Sequence, residues 1–346
     1  MNRGTALRAT WIGTCVLLVL GIALTGCTLQ GAKPTADSTL PGGQNPTSVK
    51  VDIPKEIAKA RAEVRKNPKN ASAHQQLSVV LRWEDKTDEA LQELKTAIKL
   101  DPKDASYHYD LGELYKTMGR EKACFDEVAV GVELARKYWH GADATFIYSM
   151  YLAQRAEKAG RDKEAERYYE VSLAAYRAGE QVRNMSKSLR EDVLKTSGDG
   201  LKRVQAKLQS DRPTFEWVHG QMPYLRFAKP DKSDALAAEL KQVESDVIEG
   251  KISGDSAWHH MLAGKYEQAA QYENAVIEYT AATLLDRKND MAWCNLGFKY
   301  LRQGRLEDAE TALSKAGALG DAGSGQLAST VHKVLLVYQK NHNPPK

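Results

Sequence analysis

Cysteine is scarce in this 346-residue chain. The four present, Cys15, Cys27, Cys124 and Cys294, include no pair at metal-ligand spacing, which argues against a zinc module. Charge excess is also small. The formal net charge is +4, and basic clusters such as Lys66–Lys69 are short and sit in turns, so no nucleic-acid partner is expected. Charged residues make up 27%, near the average for a stable fold rather than a disordered chain. No G-x-S-x-G, H-E-x-x-H, phosphate-binding glycine loop or dinucleotide fingerprint occurs. His259 and His260 are adjacent and would point about 100° apart on a helix, which is unsuited to one metal ion. His219 is a lone histidine, and Glu89 and Glu93 read as solvated charge on a helix face. The expectation is a protein that is not an enzyme and has no cofactor and no metal.

What is present is a recurring pattern. Trp293, Leu296, Gly297 and Tyr300 form W-x2-L-G-x2-Y, then Gly304 and Arg305 break it, and Ala309, Leu313 and Ala316 follow at helical spacing. Leu296 and Tyr300 share a helix face. Gly297 and Ala309 fall where two helices would cross, and Gly304 suits the turn between them. The slots recur at Leu262, Ala263, Tyr266, Ala275, Tyr279 and Ala282. They recur again at Leu77, Ser78, Leu81, Ala90, Leu94, Ala97 and Pro102, and at Leu111, Gly112, Tyr115, Gly119, Cys124 and Val128. A looser copy has Ala153, Ala156, Gly160, Ala165, Tyr169 and Ser172. With these residues the chain resembles a tetratricopeptide-repeat (TPR) protein, whose helix–turn–helix unit is about 34 residues long. The resemblance covers residues 71–175 and 256–320. It implies an all-α helix–turn–helix solenoid of about five repeats, with Cys124 as a packed thiol and Cys294 facing the concave side.

The N-terminus carries an address. Arg3 and Arg8 precede a mostly apolar run, Trp11–Leu24, that is too short for a comfortable membrane span. It ends in Leu24-Thr25-Gly26-Cys27, and the segment resembles a bacterial lipoprotein signal peptide. The resemblance implies cleavage between Gly26 and Cys27 and lipidation of the Cys27 thiol, with residues 1–26 removed and a net charge of about +2 left. Acyl chains contribute about 0.8 kcal/mol per buried methylene. Thr28, in place of an aspartate retention signal, would permit transfer to an outer membrane. The expected location is the bacterial cell envelope: the outer membrane facing the periplasm in a Gram-negative cell, otherwise the outer face of the cytoplasmic membrane. Residues 27–50, rich in Gly, Pro, Thr, Ser and Gln, read as a flexible tether.

The remaining layout is an N-terminal repeat block over 51–195, a segment at 196–255, and a C-terminal block with a capping helix over 256–346. Pro54 suits the first turn of a helix over 55–66, read as a cap or partial repeat. Ser197-Gly198-Asp199-Gly200 reads as a turn. Segment 196–255 is a non-repeat insertion or a set of degenerate repeats. Within it Phe215, Trp217, His219, Pro223, Tyr224 and Phe227 form an aromatic stretch. That stretch is a lid, an exposed docking patch or, most plainly, a plug between repeat blocks. Gly323 and Gly325 read as the end of the fifth unit, followed by an amphipathic helix over 326–340.

The family resemblance implies a concave groove lined by first-helix positions. These are Gln75, Val79, Arg82 and Trp83; Tyr109, Glu113 and Lys116; Met150, Tyr151 and Gln154; and His260, Asn295 and Phe298. Gln75, Val79 and Asp110 replace the Lys and Asn residues with which the chaperone-binding subset of the family grips a carboxylate tail, so that mode is not expected. The lining suits protein or peptide partners, either an extended peptide or a partner helix. The expected role is a lipid-anchored scaffold or assembly factor. The other reading is a receptor whose aromatic segment closes over a small molecule or free peptide.

Overall fold

The structure is a computed structural model. It describes residues 52–138, 145–179 and 185–342, except 228, 232, 252 and 253. Residues 1–51, which include Gly26 and Cys27, lie outside the described residues. Among the described residues there are fifteen α-helices and no strand. By contact the chain divides into two compact units, residues 1–144 and 145–346. The third helix pair, grouped by sequence with the N-terminal block, falls in the second unit.

The first unit holds α1 (Ile53–Lys66), α2 (Ala71–Trp83), α3 (Thr87–Leu100), α4 (Ala105–Thr117) and α5 (Glu121–Tyr138). Asn70 and Asp104 cap α2 and α4, their side chains accepting from Ser72 N–H and Ser106 N–H respectively. Leu77, Leu81, Ala90, Leu94, Leu111 and Leu114 form one core, and Ile57 of α1 covers its open end. Cys124 is buried, as its slot requires.

The second unit begins with α6 (Thr145–Lys158), α7 (Asp162–Ala178) and α8 (Lys187–Leu208). Then come α9 (Phe215–Gln221) and α10 (Asp234–Glu249). The last repeats are α11 (Ser256–Gln268) with α12 (Tyr272–Leu285), and α13 (Asp290–Arg302) with α14 (Leu306–Leu319). Helix α15 (Ala322–His342) packs on α14 and buries Leu327, Ala328, Val331 and Val334. Gly297 does stand at a helix crossing, since a Cβ there would lie 2.6 Å from Leu313 Cγ. The turn of every repeat holds a left-handed residue at the same slot: Asp85, Gly119, Gly160, Ala270 and Gly304.

Two glycine-rich stretches depart from the sequence expectation. Ser197–Gly200 is not a turn but lies inside α8. A Cβ on Gly200 would fall 2.2 Å from the Tyr169 ring, and Ser197 Oγ hydrogen-bonds Ser172 Oγ at 2.9 Å. These small residues let α8 press onto α7. Gly323 and Gly325 likewise do not end a helix; they sit in the first turns of α15, where a Cβ on Gly317 would lie 2.7 Å from the Gly325 Cα.

The packing within the second unit also departs from a single row of repeats. Helix α7, the second helix of its pair, packs against α12, the second helix of a later pair. Charged side chains tie α7 to α12 and to its other neighbours. The Arg177 guanidinium donates to Glu278 at 2.6 Å and to Glu244 at 2.9 Å. Arg305 donates to Glu170 and Asp308, and Arg212 to Glu166. Glu278 and Glu166 are 1% exposed, so these pairs are held away from water.

Candidate functional site

The residues expected to line a groove are divided between the two units. In the first unit α2 and α4 present a polar surface. Gln75 Nε2 donates to Asp110 Oδ2 at 2.6 Å. Burial pushes the Asp110 carboxyl above its ordinary range, against the Gln75 hydrogen bond and the field of Arg82. Glu113 pairs with Lys116 at 3.9 Å. Trp83 packs partly against the α1–α4 core, so its ring only edges this face.

Tyr109, expected from its repeat slot to line the groove, does not. Its side chain is 2% exposed, and a Cβ on Gly131 of α5 would meet its ring at 2.6 Å. The tyrosine fills the contact between α4 and α5 and is unavailable to a partner. On α6 Met150 is buried too, leaving half-buried Tyr151 and exposed Gln154. Helix α6 packs on α7 and α8, whereas α11 and α13 join the unit through α12.

The C-terminal repeats bring their expected residues together. His260 of α11 lies 3.3 Å from the Asn295 side chain of α13, and its ring meets Tyr279 edge-on. Burial lowers the His260 pKa. On the same two helices Met261 is 53% and Met291 63% exposed, two apolar side chains that the sequence did not single out. Their slots, two and six of a repeat, were the available signal.

The aromatic stretch is not a plug between repeat blocks. Val218, Met222 and Leu225 enter a core with Leu301, Leu306, Leu313, Val331 and Val334. Phe227 meets Phe298 edge-on at 6.2 Å, and Trp217 meets Tyr338 at 5.3 Å. The segment is thus a strap laid over α13–α15, so Phe298 is partly covered by the chain itself. Beside the strap lies a cavity of about 530 Å³ with Tyr224, Leu225, Cys294, Phe298, Ser324 and Leu327 in its wall. Cys294 is half-buried, with Ser324 and Asp321 of the chain beside it. Burial pushes its thiol up, while the Ser324 hydroxyl draws it down.

The remaining charged candidates are structural. His259, 0% exposed, is bonded through Nδ1 to Glu278 at 2.6 Å. The same pairing joins His74 to Glu93 and His108 to Glu127, each nineteen residues apart and within one repeat. Glu89 is held by Arg61, so neither it nor Glu93 is simply solvated, as the sequence suggested. Among the described residues no group of three or more His, Cys, Asp or Glu is placed to hold a metal ion. None of their helices is long and apolar enough to cross a membrane.

The family model described as "TPR repeat" matches residues 84–119, which span α3 and α4. Solved structures with a likeness include YrrB, a TPR protein with an unusual peptide-binding site. It is 13% identical, covers 79% of this chain and 98% of its own, and has a TM-score of 0.29. A tetratricopeptide repeat protein from Parabacteroides merdae is 16% identical over 81% and 93% of the two chains, with a TM-score of 0.31. The TPR2AB domain of yeast Sti1, in complex with pHSP90, is 16% identical over 78% and 97%, with a TM-score of 0.28. No curated protein matches the sequence. The helix pairs of the structure and the family-model match over 84–119 give an all-α fold of TPR type.

Proposed function

We propose that this protein is a binding module rather than a catalyst, and that it holds peptide segments of partner proteins on the concave face formed by α11 and α13. The observation that carries this reading is the surface around His260 and Asn295. Two exposed methionines stand on the same two helices as this polar pair, and Cys294 and Phe298 of α13 line an open cavity. Methionine adapts its shape to varied apolar partners, and the side-chain amide of Asn295 offers hydrogen bonds to a peptide backbone. Replacing Met261 and Met291 together by lysine is expected to reduce partner capture at least tenfold while the melting temperature stays within about 2 °C of wild type, since both side chains are exposed. Undiminished capture by a folded double variant would sink the assignment of this face.

A second reading rests on the cavity itself. Its mixed wall of Tyr224, Phe298, Cys294 and Ser324 suits a small ligand or a peptide end, with the strap as one side. A ligand that raises the melting temperature of wild type but not of a Phe298→Asp variant would favour it.

The anchor belongs to the same proposal. The lipobox-like Leu24–Cys27 supports a lipidated protein on the bacterial envelope, acting there as a scaffold or assembly factor. Cys27→Ser is expected to abolish incorporation of labelled lipid and to release the protein from the membrane fraction. Continued lipid labelling of that variant would refute the anchor.

A further inference from the structure

Most of the arginines packed into the second unit have an acceptor. Arg177, Arg203, Arg212 and Arg305 pair with carboxylates, and Arg190 donates to backbone carbonyls. Arg302 differs. Its guanidinium carbon lies 4.1 Å from the Tyr272 ring centre, 4.7 Å from Phe215 and 5.7 Å from Phe227. The side chain is half-buried, and among the described residues it has no carboxylate or carbonyl partner. Aromatic faces hold a cation and exclude water from it, but they leave its N–H donors unclaimed. The neighbouring charges do not neutralise it. Lys299 is already paired with Glu267, and His219, whose ring lies near Phe215 and Phe227, brings no negative charge.

Resting on the peptide-binding reading above, we infer that Arg302 is the anchor for an acidic side chain of the bound peptide. Arg302 stands on the same helix as Met291, Asn295 and Phe298. From Met291 to Arg302 the helix advances about 16 Å, which an extended peptide covers in about five residues. The partner segment therefore carries an apolar side chain that rests on Met261 and Met291, and about five residues away an Asp or Glu whose carboxylate meets the planar guanidinium. A charge-assisted bond of this kind in a half-buried setting is a strong one.

The test is selection from a displayed random peptide library on the full mature chain, repeated with Arg302→Gln and Arg302→Lys. Wild type is expected to enrich peptides with an acidic residue four to six positions from an apolar one. Arg302→Gln should lose the acidic preference, keep the apolar one, and bind the wild-type-selected peptides about tenfold more weakly. Arg302→Lys keeps the charge without the planar fork and should fall between. Denaturant melts show whether each variant folds; if the glutamine variant does not, the lysine variant still decides. Peptides selected without acidic enrichment would overturn this inference and leave the peptide-binding reading standing. Failure to select any peptide would overturn both. Wild-type binding to phosphatidylglycerol vesicles that both variants lose, with peptide selection unchanged, would assign Arg302 to lipid instead.

Discussion

Replacing Arg305 with alanine is expected to destabilise the second unit by about 3–5 kcal/mol. Arg305 is 3% exposed, and its guanidinium contacts Glu170, Glu166 and Asp308. Removing it leaves Glu170 and Glu166, 3% and 1% exposed, short of their shared countercharge. The pH dependence adds a second readout. Burial pushes the Glu170 carboxyl up to about 7; Arg305 pulls it down and Glu166 pushes it further up. A carboxyl whose folded value lies above its unfolded one binds protons more tightly when folded. Its contribution to stability is therefore fullest below about pH 4.5 and declines as pH rises toward 7. In the alanine variant the downward pull is gone, so the decline extends to higher pH. The variant should be most compromised near pH 8 and partly recover near pH 5. Denaturant midpoints at the two pH values check this, and an equal loss at both would contradict the assigned role of Glu170.

Gly304→Ala is expected to cost about 3 kcal/mol, more than the same change at Gly160. The two glycines have nearly equal φ, +68° and +71°, so each alanine incurs a left-handed penalty of about 1–2 kcal/mol. They differ in surroundings. A Cβ at Gly160 meets nothing within 4 Å, whereas at Gly304 it would lie 2.1 Å from the Pro213 carbonyl oxygen. Backbone cannot rotate aside, so the chain leading into the strap must shift, with an overpacking cost of a further ~1–3 kcal/mol. The Gly304 variant should therefore melt several degrees below the Gly160 variant, and limited proteolysis should cut it faster near residues 212–230. Equal melts for the two variants would mean that the last repeat does not hold the strap.

The repeats were legible because their packing is local. A small residue where two helices cross, an aromatic four residues on and a break between helices recur at a fixed period. The cap residues Asn70 and Asp104, and again Asp255 and Asn289, are equally periodic. The His–Glu pairs were also visible in principle, since His74, His108 and His259 each precede a glutamate by nineteen residues. What the sequence hid was packing between distant segments. Gly200 and Gly325 look like breakers because glycine breaks helices more often than it lets two of them touch. Only the partners, Tyr169 and Gly317, reveal the second use.

The candidate site was partly legible for the same reason. Repeat slots placed His260 and Asn295 on one face, and the structure brings them together. The slot rule failed at Tyr109 because it cannot know that Gly131 leaves room for a ring. It also could not show that the aromatic stretch folds back over Phe298, or that α7 packs on α12. Those contacts join segments between about 70 and 120 residues apart, through side chains whose types are ordinary for a helix surface.

The most direct test of the account is photocrosslinking from the concave face in cells. A photoreactive phenylalanine at Met291, 63% exposed, is compared with one at Leu336, 51% exposed on α15 and outside that face. The account predicts that Met291 yields a discrete adduct that maps to one short segment of one partner protein, while Leu336 yields none. The same adduct from both positions, or none from Met291 when the protein is present at its natural level, would contradict a peptide-binding face on α11 and α13.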